Sequence, residues 1–139
     1  MEKTKIEIRT VVAADIEKVW ECWTDAKHIV NWNAASRDWH CPKAENDLCS
    51  NGKFSYTMAA RDGSASFDFG GVYTAVEPQV YIAYILDDGR EVSVRFEVEK
   101  GNVVITEIFE AENQNTLEMQ QAGWQAILDT FKKYVEEQN

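Results

Sequence analysis

The stretch NTLEMQQAGWQAILDTFKKYVEE, residues 115–137, decides the fold because it predicts one long amphipathic helix late in the chain. Its apolar side chains recur at the 3.6-residue period of a helix and share one face: Leu117, Trp124, Ile127, Leu128, Phe131, Tyr134 and Val135. Asn115 followed by Glu118 resembles a capping box, which places the start of the helix at Asn115. A helix with one apolar face needs a partner surface, and the preceding residues have to supply it.

The predicted partner is a sheet. Between residues 52 and 111 the apolar side chains alternate with polar ones, a period of two that is typical of strands. Turn sequences at 61–64, 87–90 and 100–102 separate these strands, and a loosely alternating segment at 3–13 forms a first strand. The expected order is a strand, two short helices, a meander of about five to six strands and the long helix.

Composition limits the kind of protein this is. The chain has 139 residues, of which 45% are hydrophobic, so residues 1–139 are expected to form one domain with a substantial core. The net charge is −10, with 24 acidic and 14 basic side chains, and a phosphate backbone or an anionic lipid surface would repel it. We therefore expect no nucleic-acid partner.

The chain also lacks the sequence signals of a membrane or secreted protein. The longest wholly apolar stretch, Val80–Leu86, is too short to cross a bilayer, and the first ten residues have no apolar core of a signal peptide. Three cysteines, Cys22, Cys41 and Cys49, are an odd number without framework spacing, which favours reduced thiols. These features predict a cytoplasmic protein without membrane insertion, as a monomer or weak dimer.

Several local sequences carry a resemblance to a known family. They are VVAADIEKVWECWTD (11–25), NWNAASRDWHCPKAENDL (31–48), FDFGGVYTAVEP (67–78) and QQAGWQAILDTFKKYV (120–135). With the order of elements, they are similar to the START-like (SRPBCC) superfamily, and more narrowly to bacterial proteins related to the C-terminal domain of the activator of heat-shock protein 90 ATPase. The resemblance implies an α+β helix-grip (START/Bet v 1-like) fold, with a curved antiparallel sheet of about six to seven strands wrapped on the C-terminal helix.

A curved sheet closed by a single helix can leave a hollow between them, and the function is expected to lie there. We predict a cavity of a few hundred cubic ångströms that binds a small hydrophobic or amphipathic molecule, with no cofactor. The predicted ligand-binding residues are Trp39, His40, Phe54, Tyr56, Phe69, Tyr84, Glu107, Met119 and Trp124. Trp124 is expected to be buried between the helix and the sheet, and Gly123 to permit close approach of the sheet or a ligand.

Glu107 is the most informative single residue. It shares a period-two row with Val103, Ile105 and Phe109, so an inward-facing row would put a carboxyl group in the hollow, where desolvation raises its pKa. The alternate row, 104–110 in steps of two, is nearly as apolar, and the family resemblance favours Glu107 as the inward residue. The other interpretation is an exposed edge or a salt bridge to an arginine, Arg90 or Arg95.

Other interpretations of the same residues stay open from the sequence. Trp32, Trp39 and His40 could belong to the core instead of to a ligand site. His40 and Cys41 are adjacent, so their side chains diverge, and no metal-ligand spacing supports a metal site.

An enzyme of the cyclase or hydratase kind would use Glu107 and His40 as acid and base. A chaperone partner is a further alternative that the resemblance implies. A Gly70-Gly71 pair predicts a bulge or bend in its strand.

Overall fold

The computed structural model describes residues 4–138, which form seven strands and three helices in the predicted order. The elements are β1 (Lys5–Val12), α1 (Ile16–Thr24), α2 (Ala26–Trp32), β2 (Trp39–Asn46), β3 (Lys53–Ala60), β4 (Ser66–Glu77), β5 (Tyr81–Leu86), β6 (Glu91–Glu99), β7 (Asn102–Glu110) and α3 (Leu117–Glu137). The helix-grip architecture is confirmed: a curled antiparallel sheet lies against α3, with two short helices after β1.

The sheet is a meander closed by its first strand. Its order is β1-β7-β6-β5-β4-β3-β2, and every neighbouring pair is antiparallel. The alternation of β1 illustrates why the strands form, because Ile6, Ile8, Thr10 and Val12 are buried and the residues between them are exposed. In β7 the buried row is 103, 105, 107 and 109, which settles the direction that the sequence left open.

β2 is the strand that the alternation did not reveal. It is an edge strand of the described sheet, its burial does not alternate, and its pairing with β3 shifts register between His40 and Lys43. Pro42 lies within that shift. An edge strand can lose the alternating pattern because only one side of it is paired and little of it needs to be buried.

Helix α3 begins one residue later than predicted. Thr116, not Asn115, is the N-cap, and its Oγ1 accepts a hydrogen bond from the backbone N–H of Met119 at 3.1 Å. Leu117, which the helical period placed on the apolar face, is 48% exposed because the first turn extends past the buried part of the helix. Within residues 4–138, none of the helices is both long and apolar enough to cross a bilayer.

The second half of α3 packs closely against α1 and α2. Phe131 contacts the rings of Trp23 and Trp32, each at 4.8 Å between centroids, and Trp23 also meets Phe96 of β6 at 5.6 Å. The Trp32 indole N–H donates to the Cys22 carbonyl at 2.8 Å. Trp32 is therefore a core residue at this end of the helix–sheet interface.

The Gly70-Gly71 pair does not form the predicted bulge. β4 runs unbroken from Ser66 to Glu77, and its register shift against β5 falls between Tyr73 and Ala75 instead. The two glycines allow neighbouring strands to approach closely, because a Cβ on Gly71 would lie 2.4 Å from the Ile85 carbonyl oxygen. A Cβ on Gly70 would lie 2.8 Å from the carbonyl oxygen of Phe54.

Candidate functional site

A cavity of about 480 Å³ lies between the inner face of the sheet and the first half of α3. Its walls are mainly aromatic side chains from β3, β4, β5 and α3: Phe54, Tyr56, Phe69, Tyr73, Tyr84 and Trp124. The strand positions are inward-facing ones, so the period of two that forms the strands also gathers these rings on one surface. The sheet thus presents a continuous aromatic wall to the helix.

Phe54 is the centre of that wall. Its ring lies 4.9 Å from Tyr84, 5.1 Å from Tyr73 and 5.2 Å from Tyr56, measured between centroids. The three contacts hold the rings in tilted and edge-on arrangements that their quadrupoles favour. The rings of the wall therefore support one another through direct contacts.

Trp124 bounds the cavity on the helix side. Its ring stacks on Phe109 of β7 at 3.9 Å with 8° between the planes, and it meets Phe69 edge-on at 5.8 Å. The prediction that Trp124 is buried is wrong in part: the residue is only partly buried because it also lines the cavity. Trp124 separates the hollow from the packed sheet around Phe109.

Gly123 lines the cavity beside Trp124. A Cβ at this position would meet nothing within 4 Å, so tight helix–sheet packing does not explain the glycine. A helix-interior glycine is less favourable than alanine by roughly 1 kcal/mol. Its effect here is to leave space in the cavity that a side chain would take.

Glu107 faces the cavity from β7 and is 6% exposed. Its neighbours in the row, Val103, Ile105 and Phe109, are fully buried. Burial removes hydration from the charged form and raises the pKa of Glu107 from its ordinary 4.5 to about 8. The carboxyl group is therefore mostly protonated at neutral pH.

The predicted salt bridge of Glu107 is not formed. Arg90 is paired with Asp88 at 2.8 Å between Nε and Oδ2, and Arg95 lies over the Tyr81 ring at 5.0 Å. Among residues 4–138, no side chain makes a hydrogen bond or ion pair with the Glu107 carboxyl group. A buried carboxyl group is thus directed at the open space of the cavity.

Asn33, which is buried, and several tyrosine hydroxyls supply further polar groups of the cavity lining. The Tyr73 hydroxyl donates to Asn46 Oδ1 at 2.6 Å, and Asn46 in turn donates to the Thr24 carbonyl at 2.7 Å. Burial, and after it the charge of Glu107, raises the pKa of Tyr84 well above 10. Burial, and after it the charge of Tyr73, does the same for Tyr56. These hydroxyls are neutral across the physiological range and present hydrogen-bonding groups in an otherwise apolar wall.

The mouth of the cavity combines apolar and amide side chains. Phe67 and Met119 line it and are 54% and 62% exposed. Gln120 ties the start of α3 to the preceding loop, because its Nε2 donates to the carbonyls of Glu112 and Asn115 at 3.1 and 2.9 Å. The loop that borders the mouth is thereby held in place.

Seven of the nine predicted ligand-binding residues line the cavity: Phe54, Tyr56, Phe69, Tyr84, Glu107, Met119 and Trp124. Trp39 and His40 do not, which corrects the sequence prediction. They lie at the start of the edge strand β2, where Trp39 packs against Phe67 at 5.9 Å between centroids. β2 is the edge strand beside β3, and none of its residues lines the cavity.

Sequence reasoning missed some lining residues, among them Arg90, Glu112 and Gln120. Arg90 and Glu112 lie outside regular elements, where no periodicity indicates a side chain's direction. Gln120 could have been found, because it stands four residues before Trp124 on the same helix face. Within residues 4–138, no group of three or more His, Cys, Asp or Glu could hold a metal ion, and the three cysteines are free.

Comparison with known proteins places this geometry in a family. Residues 13–136 match the family described as Activator of Hsp90 ATPase homolog 1-like protein. The solution structure of an AHSA1-like protein from Aeromonas hydrophila is 48% identical, with a TM-score of 0.92 over 97% of this chain and 94% of that one. A protein from Cytophaga hutchinsonii is also 48% identical, with a TM-score of 0.83 over 96% and 93% of the two chains.

A more distant structure shares the fold alone. It is a protein from Chromobacterium violaceum, 21% identical, with a TM-score of 0.84 over 96% of this chain and 98% of that one. No curated protein is significantly similar to this chain. The family match over residues 13–136 and the two structures at 48% identity agree with each other, and the chain therefore belongs to the family of Activator of Hsp90 ATPase homolog 1-like proteins within the START-like superfamily.

Proposed function

We propose that this protein binds a small hydrophobic or amphipathic molecule in the cavity between the sheet and α3. The observation that carries the proposal is the cavity of about 480 Å³, with aromatic walls and few polar groups. Small-molecule sites typically measure about 300–1,000 Å³ and are mainly apolar, with a few placed polar groups that orient the ligand.

The position of the cavity supports binding over incomplete packing. Voids in a core cost stability because the side chains around them lose dispersion contacts. Beyond the cavity the same helix–sheet interface is closed by the fully buried Phe131, which packs against Trp23 and Trp32 where these two indoles line the cavity. At the cavity end the chain instead has Gly123, although there is room for a side chain. The interface is therefore open in one place and closed in the other.

The mouth supports an apolar ligand. Phe67 and Met119 are large apolar side chains that are more than half exposed and line the opening. Exposed apolar side chains beside a pocket commonly mark a binding site. A molecule with a hydrocarbon or aromatic body would meet favourable contacts before it reached the interior.

A cavity-filling variant tests the proposal. Gly123→Leu adds a side chain next to Gln120, Trp124 and Ile127, which all line the cavity, so we expect it to occupy the space. Ala122→Leu adds apolar atoms at the adjacent exposed position and is the matched control. Binding of the neutral dye Nile red, measured by fluorescence, should be saturable in the wild type and in Ala122→Leu and lost in Gly123→Leu.

Equal dye binding by all three proteins would place the dye on the outer surface and contradict the proposal. Thermal melts of each variant establish that it is folded before binding is compared. Native mass spectrometry of the purified wild-type protein gives an independent readout, because a retained molecule appears as an added mass that Gly123→Leu should lack.

A second candidate is an enzyme acting in the same cavity. Glu107 favours it, because a buried carboxyl group with a pKa of about 8 can both donate and accept a proton near neutral pH. The sequence suggested Glu107 and His40 as an acid–base pair, but His40 does not line the cavity and cannot act there with Glu107. The tyrosines beside Glu107 have raised pKa values and stay protonated near neutral pH, so binding remains the function that the geometry supports best.

Two further parts of the proposal concern setting and partners. A cytoplasmic location is supported by the three free cysteines, and we propose a monomer or weak dimer. The family description refers to activation of the Hsp90 ATPase, and a co-chaperone role would use an outer surface. No contact among residues 4–138 favours that role, and the small molecule is the partner that we propose.

A further inference from the structure

We propose that the ligand of this cavity is a lipophilic amine, whose ammonium group pairs with the carboxylate of Glu107 while its apolar body contacts the aromatic wall. The inference rests on the proposed function, because it names the chemical class of the molecule that the cavity takes. Three observations carry it: Glu107 without a protein partner, the charges around the cavity and the aromatic lining of the space that Glu107 faces.

Glu107 is a buried acid with no partner among the described residues. It pairs in register with Ile8 on one side and Val94 on the other, and both of these side chains are buried and apolar. Among the described residues no enclosed side-chain oxygen lacks a hydrogen-bond partner, so the Glu107 oxygens open onto the cavity, where a bound molecule can reach them. Desolvation of a carboxyl group is unfavourable, and a valine or leucine would continue the row at lower cost. A group that costs stability when the cavity is empty is explained if a ligand supplies its partner.

The charges around the cavity favour a cation. Within residues 4–138, Arg90 is the sole lysine or arginine that lines the cavity, and it is engaged by Asp88 at 2.8 Å. Arg90 also lies near Glu112, whose pKa is lowered by hydrogen bonds from the 114–115 backbone and by this arginine. An anionic ligand would be buried near the carboxylate of Glu112 with no unpaired cation of the described residues beside it, whereas an ammonium would meet the carboxyl groups of Glu107 and Glu112.

The aromatic wall adds to the same preference. Tyr56, Tyr84 and Trp124 surround the space that Glu107 faces, and the faces of such rings attract cations within about 6 Å of their centroids. A buried carboxylate among aromatic rings is a favourable environment for an ammonium group. The remaining volume of the cavity is apolar and suits the hydrocarbon part of the molecule.

Pairing with an ammonium requires Glu107 to lose its proton. At pH 7 the carboxyl group is mostly neutral in the empty cavity, so amine binding should release close to one proton to the buffer. The other titratable groups that line the cavity are Tyr56 from β3, Tyr73 from β4, Tyr84 from β5, and Arg90 and Glu112 at the mouth. The pKa values of the tyrosines are raised and that of Glu112 is lowered, so none of these acids changes charge at pH 7.

The test compares three probes that share a naphthalene body and differ in their head group. Naphthylethylamine is cationic, naphthylethanol neutral and naphthylacetate anionic, and each is titrated into the full chain at pH 7 by calorimetry. We expect the amine to bind at least about tenfold more tightly than the alcohol, because the amine forms an ion pair with Glu107. The carboxylate should bind most weakly, because its charge is buried without an unpaired lysine or arginine of the described chain beside it. Titration in two buffers with different ionisation enthalpies measures the proton released.

Glu107→Gln supplies the residue-specific test. It keeps the shape of the side chain and removes the charge, so it should weaken amine binding by about tenfold or more, abolish proton release and leave the affinity for the alcohol nearly unchanged. Glu97→Gln, at an exposed position on the neighbouring strand β6, makes the same chemical change outside the cavity and should behave as the wild type.

The outcomes separate this inference from the function on which it rests. If the alcohol or the carboxylate binds as tightly as the amine, and Gly123→Leu still blocks binding, the cavity is a ligand site but the amine proposal is overturned. If none of the three probes binds to the wild type, both proposals fail. The comparison of probes needs only the wild-type protein, so it stands even if Glu107→Gln does not fold.

Discussion

Trp124 of α3 lies flat against Phe109 of β7, with ring centroids 3.9 Å apart and ring planes within 8° of parallel. This stack joins the long helix to the sheet at the edge of the cavity. One face of the indole therefore packs against Phe109, while the rest of the ring borders the cavity. The pair couples the stability of the fold to the shape of the site.

Trp124→Ala should lower the free energy of unfolding by about 2–4 kcal/mol, because it removes the stack on Phe109 and enlarges the hollow. Denaturant melts measure the loss. Trp39→Ala is the control, since Trp39 is also partly buried but lies outside the cavity. A loss below about 1 kcal/mol for Trp124→Ala would show that the stack does not hold α3 to the sheet.

Glu107→Gln should stabilise the protein increasingly as pH rises. Unfolding exposes a carboxyl group that titrates near 4.5, whereas the folded group titrates at about 8, so unfolding releases a proton between those values. Protonation of Glu107 stabilises the folded wild type fully below about pH 4.5, and this stabilisation is lost as pH rises through about 8. Relative to the variant, the wild type should lose on the order of 3–5 kcal/mol across this window.

Urea melts of both proteins at about pH 5 and about pH 8.5 check this prediction, with Glu97→Gln as a variant that should follow the wild type. A stability difference between wild type and Glu107→Gln that stays constant with pH would mean that the carboxyl group titrates normally and is hydrated in the folded state.

Two glycine substitutions should have opposite effects. Gly71→Ala places a Cβ 2.4 Å from the Ile85 carbonyl oxygen, so the strands must separate and the protein should lose more than about 2 kcal/mol of stability. Gly123→Ala meets nothing within 4 Å and removes a helix-interior glycine, so it should gain about 0.5–1 kcal/mol. Thermal and denaturant unfolding measure both, and equal effects of the two changes would contradict the geometry.

The start of α3 gives a further prediction. Thr116→Ala should cost about 1 kcal/mol, because it removes the hydroxyl that accepts from the Met119 N–H. Asn115→Ala should cost less, since the Asn115 group that accepts from Gln120 is its backbone carbonyl, which alanine retains. A larger loss for Asn115→Ala in chemical denaturation would restore the helix start predicted from the sequence.

The long helix and most of the sheet could be predicted because their periodicities are local. The period of two in β1 and β6 and the helical period of α3 each follow from one face being buried, which a single element records in its own residues. β2 left no such record, since an edge strand buries little and its register shift breaks the alternation. β2 is identified as a strand by its pairing with β3.

The sequence by itself determined the fold class, the order of the elements and the aromatic character of the inner strand faces, because these follow from side-chain period and residue type along the chain. Only the tertiary structure decided which row of β7 faces inward, because both rows are apolar and the curl of the sheet toward α3 selects one. It also decided that Trp39 and His40 lie outside the cavity while Arg90 and Gln120 line it. These relationships depend on distances across several strands, and no local pattern encodes a distance between residues that are far apart in the chain.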